Sequence, residues 1–169
     1  NNAILVVSGD VYAEHVFDLA EKTYGLLDRA DIPKRERTKS PPFVTKTDIT
    51  FRHEIMKEPQ IQRIYRAPSF RQNKKESLAL QVLEEIISGG PTSRFYQSLV
   101  VDQKLATDIN LAYSSTAYDD AMLSITAKTP DEIKVAALQK AIDEILRDIV
   151  KNSVSKKDIA NAVERMQAD

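Results

Sequence analysis

Residues 109–127 read INLAYSSTAYDDAMLSITA, and this stretch decides how the rest of the chain is interpreted. Apolar side chains occupy every second position in residues 109–113 and again in residues 123–127. Such alternation indicates strands that have one buried and one polar face. Tyr118-Asp119-Asp120 lies between the two runs and supplies a turn. The stretch therefore predicts a neighbouring antiparallel pair of strands.

Two more strands and a helix are predicted upstream of this pair. Residues 49–55 alternate apolar and polar side chains, and residues 61–67 form a second strand-like run. A start signal of the form Asn-x-x-Glu at residues 73–76 precedes an apolar stripe over residues 74–88, which a Gly-Gly-Pro sequence ends. These signals predict a helix over residues 74–88.

Three further helices are predicted in the second half of the chain. A short one covers residues 93–102, and Thr129, as a cap before Pro130, opens a longer one that runs to about Val150. Ser155 starts the last helix. The resulting element order is β-α, linker, β-β-α-α-β-β-α-α. It predicts the α+β class, with an antiparallel or mixed sheet that carries helices packed on one face.

The beginning of the chain is predicted to be a separate piece. Residues Ala3 to Ser8 form an apolar run typical of a strand buried on both faces, and a helix capped by Asp10 follows from Tyr12 to Leu27. Prolines and charges dominate the next twenty residues, as in an extended linker. The predicted layout is a terminal strand and helix over residues 1–28, a linker over residues 29–47 and a domain over residues 48–169.

Composition excludes several classes of function. The net charge of −1 gives the molecule no general attraction to nucleic acid or to an anionic membrane. The chain has no cysteine, so disulfides, thiol nucleophiles and thiolate metal sites are excluded. No apolar run approaches the roughly 20 residues that a membrane-spanning helix needs. We therefore expect no nucleic-acid partner and no membrane span.

The candidate catalytic residues are few. A hydrolytic zinc site needs about three protein ligands, whereas His15 and His53 each lack a second histidine three or four positions away. No Gly-x-Ser-x-Gly nucleophile motif occurs. The stretch from Gly89 to Arg94 (GGPTSR) could bind an anion at a helix start, but the end of one helix and the start of another explain it more simply. We predict no catalytic and no metal-binding residue in this chain.

Three segments of the sequence resemble the pitrilysin/insulinase-type zinc peptidases. NNAILVVSGD at residues 1–10 resembles the strand that ends the first domain of these subunits. SGGPTSRFYQSL at residues 88–99 resembles the family segment Gly-Gly-x-x-Ser-Arg-Leu-Tyr-x-x-Leu, and DQKLA at residues 102–106 continues the register. The resemblance is strongest to the bacterial, processing-peptidase-like branch, whose subunits are built from two homologous domains.

The resemblance implies that the chain is a fragment: the end of a first domain, a linker and most of a second, processing-peptidase-like two-layer domain. In this family a His-x-x-Glu-His helix and a downstream Glu hold zinc, and that motif is absent here. Zinc is therefore implied for the parent protein and not for this fragment. Second domains of partner halves carry an Arg and, seven positions later, a Tyr that bind the substrate carbonyl. Val100 and Thr107 stand at those positions, so the substrate-binding residues stay unassigned.

The implied function is that of a non-catalytic domain of a zinc metalloendopeptidase, which contributes chamber wall, subunit interface and binding of peptide substrate. The expected partners are peptide and either a homologous peptidase subunit or a second copy of the chain. One alternative is a non-catalytic scaffold or core-subunit homologue of the same family, and another is an unrelated α+β binding module. Similarity to bacterial relatives implies the periplasm, and the sequence leaves the cytoplasm open.

Overall fold

The computed structural model describes residues 3–28, 30–32, 34, 36, 38, 41–131 and 134–168. The chain divides into two compact units, residues 1–39 and residues 40–169. The described residues of the first unit contain one α-helix, and those of the second contain a sheet and the remaining α-helices. The division falls within the predicted linker, whose outer limits stay a prediction.

The first unit holds helix α1, Ala13–Thr23, which a single 3-10 turn at Tyr24–Leu26 follows. The predicted helix over residues 12–27 is present but shorter, and the Thr23 hydroxyl donates to the carbonyl of Leu19 at 2.7 Å in its last turn. The prediction of Asp10 as the cap is wrong. Tyr12 holds that position without a side-chain bond, since a cap must directly precede the first helical residue.

The predicted strand from Ala3 to Ser8 is also wrong. These residues form no strand of the described sheet, and the side chain of Ile4 is 91% exposed. A strand buried on both faces needs neighbouring strands and covering layers, and the described residues of the sheet all come from the second unit. Asn1 and Asn2, which belong to the resembling segment, lie outside the described residues.

The second unit is built on a three-stranded antiparallel sheet. Its strands are β1, Gln60–Ala67, β2, Asp108–Tyr113, and β3, Ala121–Lys128, in the order β1-β3-β2. The register places Arg63 and Leu111 on either side of Ile125. The predicted α+β class and the predicted antiparallel pair are confirmed.

Helices cover one face of this sheet. They are α2, Lys74–Ser88, a π-helical segment, Tyr96–Asp102, α3, Val135–Asn152, and α4, Lys156–Ala168. The core joins odd-numbered strand residues to these helices, with Ile109, Leu111 and Ile125 against Ile87 and Leu138. In the described part of the chain no helix is both long and apolar enough to cross a membrane.

Two of the predicted helix starts are confirmed by their caps. The Asn73 side chain accepts a hydrogen bond from the Glu76 N–H at 3.2 Å at the start of α2. The Ser155 hydroxyl accepts from the Asp158 N–H at 3.1 Å, and the Asp158 carboxylate accepts in return from the Ser155 N–H at 3.2 Å. This reciprocal pair is a capping box, which satisfies two amides that the first turn of α4 leaves open.

Thr129 is not the cap of α3, although the sequence predicted it to be. Helix α3 begins at Val135, and residues 132 and 133 lie outside the described residues. Thr129 directly follows β3, and its backbone N–H donates to the Pro59 carbonyl at 3.1 Å. The residue therefore extends the pairing of β3 with the segment before β1.

The predicted strand over residues 49–55 is absent from the sheet. The side chain of Phe51 is 75% exposed, and Ile49 and Ile55 are exposed too. The Met56 N–H donates to the His53 carbonyl at 3.0 Å, which closes a turn. Alternation indicates two different faces, but a strand also needs a pairing partner, and β1 pairs here with β3.

Candidate functional site

The two histidines lie in different units. His15 is on α1 with its ring 5.7 Å from the ring of Tyr12. His53 precedes β1, stacks on Phe51 at 5.9 Å, and accepts the Ile55 N–H at Nδ1 at 3.2 Å. Within the residues that the structure describes, no three His, Asp or Glu side chains are grouped to hold a metal ion. These side chains do not fit the zinc centre of the resembling family.

The glycine-rich segment after α2 is a helix stop. Gly90 has a φ of 88°, in the left-handed region that glycine adopts at low cost. The one cation of the segment, Arg94, is held by the acids of two helices, with Asp158 Oδ2 3.1 Å from Nη2 and Asp148 Oδ2 3.6 Å from Nη1. Arg94 therefore ties the helices together, and this explains its presence without an anion.

The two positions aligned with a substrate clamp have no clamp geometry. Val100 is half-buried in the π-helical segment and packs against the core. Thr107 is exposed, and its backbone N–H donates to the Lys128 carbonyl at 2.9 Å. We assign neither residue to substrate.

Side chains of α2 cover the outer edge of β2. The Leu111 N–H donates to Ser88 Oγ at 2.9 Å, and the Tyr113 N–H donates to Glu84 Oε1 at 3.2 Å. Ser88 Oγ also donates to Asn110 Oδ1 at 3.0 Å. Four helical residues rise about 6 Å and two strand residues about 6.7 Å, so one helical turn matches one strand repeat. The helix thus supplies acceptors where a further strand would place its carbonyl groups.

Burial changes the pKa of Glu84, one of the two residues that cover this edge. Burial raises the pKa of the Glu84 carboxyl; the hydrogen bond from the Tyr113 N–H lowers it, and the neighbouring charge of Glu85 raises it further. Glu85 itself accepts from Arg165 Nε on α4 at 2.6 Å. The cleft beside them has a volume of about 220 Å³, and Ser88 and Met166 also line it.

Among the described helices, none covers the opposite edge of the sheet, on β1. The Ser114 N–H donates to the Met122 carbonyl. The backbone N–H and C=O groups of even-numbered β3 residues therefore point towards β2, and those of odd-numbered β3 residues point towards β1. By the β1–β3 register, the backbone groups of Gln62 and Ile64 then point away from the sheet. An edge of this kind is a template for another extended chain.

An ion pair lies on the core-facing side of β1. The Arg63 guanidinium bonds the Asp143 carboxylate of α3 and donates to the Gln139 carbonyl at 3.0 Å. Arg63 thereby fixes α3 over the strand. Next to it along this face, Tyr65 remains 42% exposed, so the core is open towards the β1 edge.

A second cleft lies at the end of β1. It has a volume of about 370 Å³ and is lined by Pro42, Phe43, Arg66 and Asp120. Arg66 pairs with Asp120 and lies 5.1 Å from the centre of the Phe43 ring. Because the cation is neutralised within the chain, this cleft offers little charge to a ligand.

Reasoning from sequence missed the cover on β2. The available signal is the spacing of Glu84 and Ser88, which are polar residues four apart and so lie on the same side of α2. Their partners, Leu111 and Tyr113, are recognisable only as alternate residues of a strand. Local sequence patterns do not show that β2 lies beside α2, because that placement depends on the tertiary structure.

The sequence and the fold are similar to those of known proteins. The family description "Peptidase M16 inactive domain" matches residues 1–166. The chain is 25% identical over 171 residues to "Zinc protease PqqE" of Helicobacter pylori, which covers 99% of this chain and 38% of that protein. A solved structure of a protease from Helicobacter pylori has a TM-score of 0.71 at 22% identity, covering 95% of this chain and 39% of the other.

The chain thus spans about two fifths of the length of these relatives. The resemblance seen at the glycine-rich segment is confirmed along almost the whole sequence, and the structural likeness confirms the fold. A non-catalytic domain agrees with the matched description. The chain belongs to the peptidase M16 family, and it matches the inactive domain of that family.

Proposed function

We propose that this chain is the non-catalytic domain of an M16-type zinc protease, where it forms chamber wall and subunit interface and binds extended peptide through its sheet. The match to the inactive domain over residues 1–166 carries the proposal. A relative that shares nearly the full length of this chain is named a zinc protease. The metal and the hydrolytic chemistry would come from other parts of such a protein.

The open edge of β1 supports the peptide-binding part of the proposal. An added antiparallel strand would hydrogen-bond to the outward backbone groups of Gln62 and Ile64. Recognition through the main chain tolerates many sequences, which suits a protein that handles varied peptides. The exposed side chains of Ile64 and Tyr65 lie on opposite faces of β1 and would contact alternate side chains of the peptide.

Metal content and turnover test the non-catalytic role. The purified chain is dialysed, its zinc is measured, and cleavage of an unstructured peptide is followed with and without a chelator. We expect no stoichiometric zinc and no cleavage. Chelator-sensitive turnover by the pure chain would contradict the proposal.

Binding of a labelled unstructured peptide, followed by fluorescence anisotropy, tests the edge. Ile64→Pro removes an outward N–H while leaving the β1–β3 ladder intact, because proline is tolerated where the N–H faces outward. Ile64→Val is the matched control, since it keeps the N–H. We expect the proline variant to bind about tenfold more weakly, a loss of about 1.4 kcal/mol, as for one hydrogen bond. Equal affinity of the two variants would exclude the β1 edge.

Self-association tests the interface role. Phe17 and Leu19 of α1 are large apolar side chains that are exposed in the first unit. Surfaces of this kind are commonly covered by another chain. We expect light scattering to show association of the pure chain that weakens in a Phe17→Ser/Leu19→Ser variant. A monomer at all concentrations would argue against a self-complementary interface.

A further inference from the structure

Two cation–ring pairs lie at one end of the sheet. The Arg71 guanidinium carbon is 4.2 Å from the centre of the Tyr118 ring, and the Lys74 ammonium nitrogen is 5.4 Å from the centre of the Phe70 ring. Both rings and both cations are exposed. We call Phe70, Arg71, Lys74 and Tyr118 the end patch. Its members come from the connection between β1 and α2, from the first residue of α2 and from the turn between β2 and β3.

Hydrogen bonds between the two connections hold the end patch together. The Phe70 N–H donates to the Ser115 carbonyl at 2.9 Å, and Gln72 Nε2 donates to Asp120 Oδ1 at 2.8 Å. These bonds fix the backbone on both sides of the patch, so a ligand meets rings and cations that are already brought together. Such preorganisation lowers the entropy that binding costs.

The cations of the end patch keep their positive charge. Among the described residues, the partners of Arg71 and Lys74 are the two rings and not carboxylates. Asp120 in the same turn is already paired with a cation of β1. Asp119 and Glu76, the other acids of these segments, form no ion pair with either cation in the part of the chain that the structure describes. A cation on a ring face retains its charge, and ring edges carry a partial positive charge too.

The stability of the domain does not explain the position of Lys74. It is the first residue of α2, and the amino end of a helix carries a partial positive charge, so a cation there lowers stability. An acidic side chain suits the first turn better, as at Glu76. Proteins break such local rules mainly at functional sites.

Carboxylates next to apolar side chains are the chemistry that fits this surface. The carboxylates would pair with the two cations, and the apolar side chains would contact the rings. Nucleic acid fits less well, because bases bind by stacking on ring faces, and a cation already occupies one face of each ring. The net charge of −1 also gives the chain no long-range attraction to a polyanion.

We propose that the end patch binds acidic segments of peptide, whose carboxylates pair with Arg71 and Lys74 while neighbouring apolar side chains contact the two rings. The site is separate from the open edge of β1, because Phe70 bonds to Ser115 just after β2, and β3 lies between β1 and β2. Where one peptide also pairs with β1, the patch adds a preference for acidic sequence. That part of the inference rests on the proposed function; binding at the patch does not.

Fluorescence anisotropy with a matched pair of labelled peptides tests the end patch. One unstructured peptide carries aspartates among leucines and serines, and the other carries asparagine in place of each aspartate. Arg71→Gln/Lys74→Gln removes two positive charges from the patch, and Lys104→Gln/Lys128→Gln removes two exposed ones near the opposite end of the sheet. We expect the patch variant to bind the acidic peptide about tenfold more weakly, as the loss of two exposed ion pairs implies. The control variant should stay within about twofold of the unmodified chain.

Three results overturn the proposal. The first is equal weakening in the two variants, which would indicate only a general effect of charge. The second is equal affinity of the unmodified chain for the acidic and the asparagine peptide. The third is a labelled single-stranded DNA that binds the unmodified chain more tightly than the acidic peptide does, which would indicate a nucleic-acid site.

Reversing the charge of the patch gives an answer that loss of folding does not explain. Arg71→Glu/Lys74→Glu should prefer a peptide with lysine in place of each aspartate, and absence of this reversal also contradicts the proposal. The difference between the acidic and the asparagine peptide reports on the patch alone, because Ile64→Pro at the β1 edge affects both peptides equally. Failure here is therefore distinct from failure of the proposed function.

Discussion

Replacing both Glu84 and Ser88 with alanine removes the side-chain acceptors from the outer edge of β2. The N–H groups of Leu111 and Tyr113 then lose the partners that α2 supplies. Both donors are main-chain groups of β2, so the loss of their acceptors lowers the stability of the domain and does not affect the surface alone. We expect the double variant to fold with reduced stability and a locally loosened edge.

The size of the effect follows from the two bonds. The bond to Ser88 is 2.9 Å long and neutral, and such a bond contributes about 1 kcal/mol. The bond to Glu84 involves a charge, which would give about 1.5–3 kcal/mol. However, it is 3.2 Å long, and the raised pKa shows that burial opposes the charge, so we take about 1 kcal/mol for it. The total is about 2 kcal/mol, which is the sum of about 1 kcal/mol for each bond.

Two measurements check this value. Urea denaturation should show a midpoint lower by about 1 M, for a slope of about 2 kcal/mol/M. Exchange of the Leu111 and Tyr113 amides should accelerate about fivefold each, as about 1 kcal/mol per bond requires. Lys75→Ala on the exposed side of α2 is the control, with a change within about 0.5 kcal/mol. Unchanged exchange at both amides in the double variant would refute the edge cover.

Three further predictions concern the core, a carboxyl group and an ion pair. Leu138→Ala, at a side chain with 0% exposure, should cost about 3–5 kcal/mol in urea denaturation, whereas Val150→Ala, at 86% exposure, should stay within about 0.5 kcal/mol. Burial raises the folded-state pKa of Glu84, so the folded state binds the Glu84 proton more tightly than the unfolded state does. The contribution of Glu84 to the free energy of unfolding therefore falls as the pH rises from the unfolded-state pKa of about 4.3 through the raised folded-state pKa. Glu84→Gln should remove this decline from urea midpoints measured between about pH 4 and pH 7. Arg63→Met should cost about 1 kcal/mol, because the Asp143 side chain is 49% exposed and water replaces much of the pair; a full additive loss with Asp143→Asn would contradict the pairing.

Local signals in the sequence predicted the elements whose ends and faces are fixed nearby. Asn73 and the glycines after Ser88 fixed the two ends of α2, because a cap and a left-handed turn are properties of a few adjacent residues. Alternation likewise predicted β2 and β3, which are neighbours in sequence and pair with each other. Thr129 shows the limit of such signals, since its amide bonds to Pro59, which is distant in sequence.

The sequence did not show which strands and helices lie next to one another. The run at Ala3–Ser8 has strand composition but pairs with none of the described residues, because composition does not specify a neighbour. The cover of β2 by Glu84 and Ser88 depends on which helix lies beside which strand. The sequence therefore predicted the inactive-domain fold through resemblance, while the difference between its covered and open sheet edges required the tertiary arrangement.

The pairing of Arg63 with Asp143 joins residues that are 80 positions apart. Strands β2 and β3 can form their hairpin from nearby sequence, but β1 must cross more than fifty residues to reach β3, and Arg63 meets its partner only after α3 has been made. Closing such long loops slows folding. During synthesis β1, which is made first, is thus expected to wait for the β2–β3 hairpin, and a shift of β1 by one residue would leave Asp143 without its cation. A contact that forms late in this domain would then depend on the correct alignment of its first strand.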